Sequence, residues 1–143
     1  MLRLALVLCG LLAGSAALAA EFVSVAESAI LYNANSLKAN KLYVATRYLP
    51  LQQLVVLAGW VKARDSTGKV FWIEKRNLSS KRYVVVTARE AIVRQSWSSS
   101  ASLAFRVERQ VGLEWLGNVG DWVQVRHRDG STGYINSADV WGE

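Results

Sequence analysis

The chain has 143 residues, 52% of them apolar, with 17 Lys and Arg against 11 Asp and Glu and a formal net charge of +6. That length holds one domain or two small ones, and the apolar fraction favours a packed fold over disorder. A single Cys and a single His exclude a Cys-based zinc cluster, an internal disulfide and a His-rich metal site.

Residues 1–20, MLRLALVLCGLLAGSAALAA, begin with the positive charge of Arg3. They continue through an apolar run from Leu4 to Leu12 and reach the small-residue stretch Ala17-Leu18-Ala19. This is the order of a secretory signal peptide, with cleavage expected near Ala19 and Ala20. As an uncleaved anchor the segment would sit at the short edge of a membrane span, and its second half is Ala, Gly and Ser rather than Leu. Leu8 precedes Cys9 where lipoprotein processing needs a small residue, so Cys9 is expected to leave with the leader. The expected product is periplasmic or secreted, keeps no membrane span, and contains no cysteine in an oxidising compartment. Packing alone must then hold it together.

The rest of the chain is one unit written twice. A shift of 62 positions, the step from Trp60 to Trp122, aligns it without gaps. Identities include Val23/Val85, Ala29/Ala91, Ile30/Ile92, Leu51/Leu113, Trp60/Trp122, Val61/Val123, Arg64/Arg126, Gly68/Gly130 and Ile73/Ile135. Positions that differ stay apolar, as in Tyr43/Phe105, Ala63/Val125 and Trp72/Tyr134. The expected units are 21–79, the more degenerate, and 83–143.

Each copy reads as short strands. In the second, VVVTA (84–88) and AIVRQ (91–95) precede the polar stretch SWSSSAS, followed by LAFRV, a run from Val111 to Val119, WVQVR (122–126) and TGYI (132–135). In WVQVR, Val123 and Val125 share one face while Trp122, Gln124 and Arg126 take the other. RDGS then supplies a hairpin turn. The first copy repeats the pattern as WVKAR, DSTGK and VFWI. No segment sustains a 3.6 period, so helix is limited to a turn near NLSS and another near SADV. About five strands in a repeat of this size suit a small twisted barrel better than a broad sandwich. The stretch KRNLSSKR (75–82) reads as a tight linker, and an interface between the copies is expected to take up some Trp surface.

The run GDWVQVRHRDGSTGYI (120–135), with ADVWG after it, resembles the bacterial SH3 (SH3b) domain. GWVKAR (59–64), Gly68, FWIEK (71–75) and NLSS resemble a degenerate copy of the same pattern, and Val93-Arg94 stand at the family's frequent Val-Arg. With both copies counted the resemblance covers nearly all of residues 21–143. It looks specifically like the exported two-repeat SH3-like proteins of Gram-negative bacteria. The resemblance implies an all-β fold of two tandem SH3-like small β-barrels after a signal peptide. It also implies a non-catalytic binding module of the cell envelope whose ligand is cell-wall peptide, glycan or a protein peptide, with no cofactor. Fold alone does not choose among these.

The candidate groove is aromatic, because rings offer rigid apolar area at low entropic cost. Trp122 and Trp60 lie opposite the Val face of their strands, Trp97 stands in a run of Ser, and Tyr134 follows the Gly of the closing strand. These, with Arg126 and Trp72, are the expected ligand-binding residues. Trp115 and Trp141 read as structural. From Glu21 to Arg82 ten basic residues face four acidic, whereas from Tyr83 to Glu143 six face seven. Lys75, Arg76, Lys81 and Arg82 form a candidate basic patch for an anionic surface, or else a solvated linker. Export, and a second copy that is not basic, argue against nucleic acid. No catalytic or metal residue is expected. His127, with Asp129 two residues away, has no paired nucleophile, Asp121 and Asp129 flank one hairpin without a cleft to desolvate them, and no Gly-rich phosphate loop is present. The alternatives to wall binding are a periplasmic protein–protein adaptor and a structural accessory without a small ligand.

Overall fold

The computed structural model of the protein describes residues 21–143, so the expected leader, its cleavage site and Cys9 lie outside the described residues. The first repeat contains β1 (Phe22–Val25), β2 (Ala29–Tyr32), β3 (Lys41–Ala45), β4 (Pro50–Val56), β5 (Trp60–Arg64), β6 (Val70–Glu74) and β7 (Leu78–Ser79). The second contains β8 (Tyr83–Val86), β9 (Glu90–Arg94), β10 (Leu103–Glu108), β11 (Gly112–Val119), β12 (Trp122–Arg126), β13 (Thr132–Asn136) and β14 (Val140–Trp141). Each repeat is one seven-stranded sheet with antiparallel pairing, in the order β3-β2-β6-β5-β4-β1-β7 and then β10-β9-β13-β12-β11-β8-β14. Among the described residues the protein is all-β, with only two single 3-10 turns, Lys75–Asn77 and Ser137–Asp139.

The duplication extends to irregularities that side-chain pattern does not reveal. The β4–β5 ladder slips between Gln53 and Val55, and the β11–β12 ladder slips between Trp115 and Gly117, 62 positions on. Such bulges bend and twist a strand, which lets a short sheet curl round its own core. Tyr48 (φ 73°) and Gln110 (φ 71°) take the same left-handed backbone at the turn before the fourth strand of each repeat.

Period-2 alternation fills each core. Val61, Ala63, Phe71 and Ile73 point inward in the first repeat, Val123, Val125 and Ile135 in the second, and all are essentially inaccessible. The two cores differ most sharply at one cross-strand pair. Ala63 faces Phe71 in the first, whereas Val125 faces Gly133 in the second. A small residue stands opposite a large one in each case, with the order reversed, so the volume at this layer is shared out differently. Gly133 lies so close to β9 that a Cβ there would stand 2.6 Å from Val93 Cγ1 and 2.7 Å from the Arg94 carbonyl oxygen.

The join between repeats is shorter than the stretch 75–82 suggests. Leu78 pairs with Val25 and packs on the first core, so this apolar residue draws its basic neighbours into the first repeat. Only residues 80–82 link the two sheets. Their path is pinned. The Ser24 hydroxyl donates to the Lys81 carbonyl at 2.6 Å, and the Trp115 backbone N–H donates to the Arg82 carbonyl at 3.0 Å. Across the junction Phe22 meets Trp141 edge-on at 5.0 Å, and Tyr48 stacks on Tyr83 at 4.6 Å. Gly142 (φ 114°) lets the closing strand reach the junction, where a Cβ would stand 2.9 Å from both Pro50 Cβ and the Tyr83 carbonyl oxygen. Among the described residues no helix is long and apolar enough to cross a membrane.

Candidate functional site

Strands β12 and β13 present their polar and aromatic side chains on the outer face of the second repeat. Register places Trp122 opposite Asn136, Gln124 opposite Tyr134 and Arg126 opposite Thr132, so Trp122 and Tyr134 are diagonal neighbours within reach of one ligand. Above them, the loop between β9 and β10 brings Trp97 edge-on to Tyr134, with ring centroids 5.4 Å apart at 69°. Trp97 remains 54% exposed. The loop beneath it is tied down by hydrogen bonds from Gln95 N–H to the Ser102 carbonyl (2.9 Å) and from Arg94 Nη1 to the Ala101 carbonyl (2.8 Å). An exposed aromatic on an ordered loop binds without first losing loop entropy. The structure therefore gathers Trp97, Tyr134 and Trp122 on one face, with Arg126 at its end.

The first repeat repeats the face with other contents. Trp60 and Trp72 are again diagonal neighbours, opposite Glu74 and Lys62. Tyr32, at the position Arg94 holds in the second repeat, turns its buried ring edge-on to Trp60 at 5.5 Å. Asn35 stands where the second repeat has Trp97. The first repeat keeps the two tryptophans but lacks the ring that overhangs the second repeat's platform.

The four basic residues expected to form a patch have separate roles. Lys75 is exposed, and Arg76 pairs at 3.2 Å with Glu74 two residues before it. Arg82 is not part of a solvated patch. It is half-buried, with its guanidinium 5.3 Å from the Phe22 ring and 4.7 Å from the Trp115 ring, and Nη2 donates to the Gly142 carbonyl at 2.8 Å. Burial pulls its pKa down from the usual arginine value, and its Nε finds no partner. Sequence reasoning missed this because periodicity reports side-chain faces within a strand, not what a linker side chain meets across a junction. Lys81 lies 3.6 Å from Glu114, which also pairs with Arg126 at 3.5 Å. The Tyr83 hydroxyl, and then Glu114, hold the exposed Lys81 above the usual lysine range.

Sequence reasoning also missed Tyr48, whose ring enters the junction only because its backbone is left-handed. Asp129 accepts from the Ser131 backbone N–H at 2.8 Å, and this bond, more than the nearby His127, keeps its carboxyl below the usual range. Among the described residues no three His, Cys, Asp or Glu side chains cluster as metal ligands.

Residues 87–142 match the family model described as "Bacterial SH3 domain". The second repeat is a bacterial SH3 domain. Its Trp97–Tyr134 platform lies wholly within the matched residues, and the first repeat reproduces the SH3 domain's strand order in the same register. Solved structures similar to the chain include NlpC2 from Trichomonas vaginalis, at 17% identity over 87% of this chain and 49% of that one, with a TM-score of 0.40. NlpC1 from the same organism shows 18% identity over 92% and 49%, also with a TM-score of 0.40. An NlpC/P60 family protein from Bacillus cereus shows 14% identity over 84% and 55%, with a TM-score of 0.38. The chain spans about half the length of these structures. No curated protein matches it.

Proposed function

We propose that the protein is a non-catalytic binding protein of the cell envelope that takes cell-wall peptide or glycan on the outer face of its bacterial SH3 domain. The observation that carries this reading is Trp97, a large aromatic left 54% exposed on a hydrogen-bonded loop and braced edge-on by Tyr134. An exposed ring on an ordered backbone costs solvation in the free protein and is well suited to cover the apolar face of a sugar or a peptide side chain. Trp122 extends the same face. The envelope location rests on the leader expected over residues 1–20.

The test is co-sedimentation of residues 21–143 with purified peptidoglycan sacculi, beside Trp97→Ala and Trp122→Ala variants. Wild-type retention should fall about tenfold or more in Trp97→Ala, as for a central aromatic anchor. The Trp122→Ala loss should be smaller. No retention of the wild type would sink the wall reading and leave a partner protein's peptide as the ligand of the same face.

A further inference from the structure

A second concave surface lies where the two repeats meet. A groove of about 220 Å³ runs between the stacked Tyr48 and Tyr83 and the β12–β13 hairpin, with Lys81, Glu114, Arg126 and Arg128 along it. A wider extension of about 530 Å³ continues past Tyr48 and Arg128 to Arg47. A third hollow of about 220 Å³ flanks the other side of the tyrosine stack, with Arg47 again in its wall and Glu27 beside it.

Charge in this trough is unbalanced. Glu114 is already held by Lys81 at 3.6 Å and Arg126 at 3.5 Å. Arg47 and Arg128 are exposed, and neither has an ion pair or a side-chain hydrogen bond among the described residues. Arg47 instead lies over the Tyr48 ring at 4.8 Å. Asp129, next to Arg128, is turned to its own hairpin by the Ser131 bond.

The backbone of Tyr48 is the second observation. Both repeats need a left-handed residue at this turn, and the second meets the need with Gln110. A bulky aromatic in that conformation is strained. Stacking on Tyr83 offsets part of this strain. The result is a half-buried ring that forms the floor of a basic groove.

We infer that the inter-repeat groove is a binding site for an extended acidic peptide, whose carboxylates pair with Arg47 and Arg128 while its chain lies along the Tyr48–Tyr83 stack. Glu114, seated between two cations of the same groove, is an internal instance of the carboxylate it accepts. A compact phosphate dianion fits less well, because it would sit beside that fixed carboxylate, whereas single charges spaced along a chain reach the two free arginines separately. Arg126 borders both sites, but Arg47, Tyr48 and Arg128 belong to the groove alone and Trp97 to the platform alone, so variants at these residues make the two readings fail independently.

The experiment is calorimetric titration of the protein with a capped peptide of alternating Glu and Ala, and with its Gln/Ala counterpart. The Glu peptide should bind about tenfold tighter or more at low salt, with the gap closing as salt rises. The double variant Arg47→Ala/Arg128→Ala, altered only at exposed positions, should lose about tenfold in affinity. Tyr48→Gln, which installs the second repeat's own residue for that turn, should lose affinity without unfolding, and Trp97→Ala should change nothing. Equal binding of both peptides, or undiminished binding by the double variant, would overturn the assignment. Displacement of the Glu peptide by an equal concentration of inorganic phosphate would overturn it too, in favour of a phosphate site.

Discussion

Gly133 and Arg82 are opposite extremes at the scale of single residues. Gly133 stands where the first repeat has Phe71, and the sequence displays that exchange, together with Ala63 for Val125, without saying why both are tolerated. The structure gives the reason as shared volume across one strand pair, and it makes Gly133 irreplaceable. Gly133→Ala would press a Cβ onto Val93 and the Arg94 carbonyl, the latter a backbone atom that cannot rotate away. We expect a loss of about 1–3 kcal/mol, measured as a lowered midpoint in urea unfolding, whereas Phe71→Ala should cost about 3–5 kcal/mol by leaving a cavity. Arg82 is the opposite case, since its burial was invisible in the sequence. Arg82→Lys would keep the charge but lose the planar contact with Phe22 and Trp115. It should destabilise the protein nearly as much as Arg82→Ala.

Among the elements, strands and their faces were legible wherever hydrophobic alternation was clean, as in WVQVR. Bulges and left-handed turns were not, because they depend on backbone register and leave side-chain composition unchanged. The expected linker was too long because its one apolar residue, Leu78, is outnumbered by polar and basic neighbours, yet it pairs with β1. The edge strands β3 and β10 differ in a way that predicts behaviour. In the second repeat Arg106 lies opposite Ile92 and pairs with Glu90 at 3.1 Å. In the first, Val44 lies opposite Ile30 and is 70% exposed. An apolar, unpaired edge is a template for association with another chain. Grafting the second repeat's pair through Val44→Arg with Ser28→Glu should reduce self-association at high concentration, read by light scattering. Stability should change by no more than about 0.5 kcal/mol.

At the scale of the whole molecule, two copies of a marginally sized unit brace each other through Phe22–Trp141, Tyr48–Tyr83 and the buried Arg82. The interface was expected from size alone, but the residues that build it come mostly from linker, turn and chain-end positions where periodicity carries no signal. Residues 21–143 should therefore unfold in one calorimetric transition, and Gly142→Ala, which drives a Cβ against Pro50 and the Tyr83 carbonyl, should split it into two. The Lys81 contribution has a defined pH window. Its folded-state pKa is raised, so the stabilisation is fully present below the unfolded value near 10.5 and is lost only as pH rises through the folded value.

The three residues that join the sheets, 80–82, are held at successive points by Ser24, Trp115 and the aromatic pair around Arg82. A flexible tether would let two surfaces search independently for a polymer's repeating units, gaining avidity at almost any spacing. A pinned one turns them into a ruler. On the proposed wall-binding reading, a polymer would meet the two outer faces only at the one spacing that this junction sets.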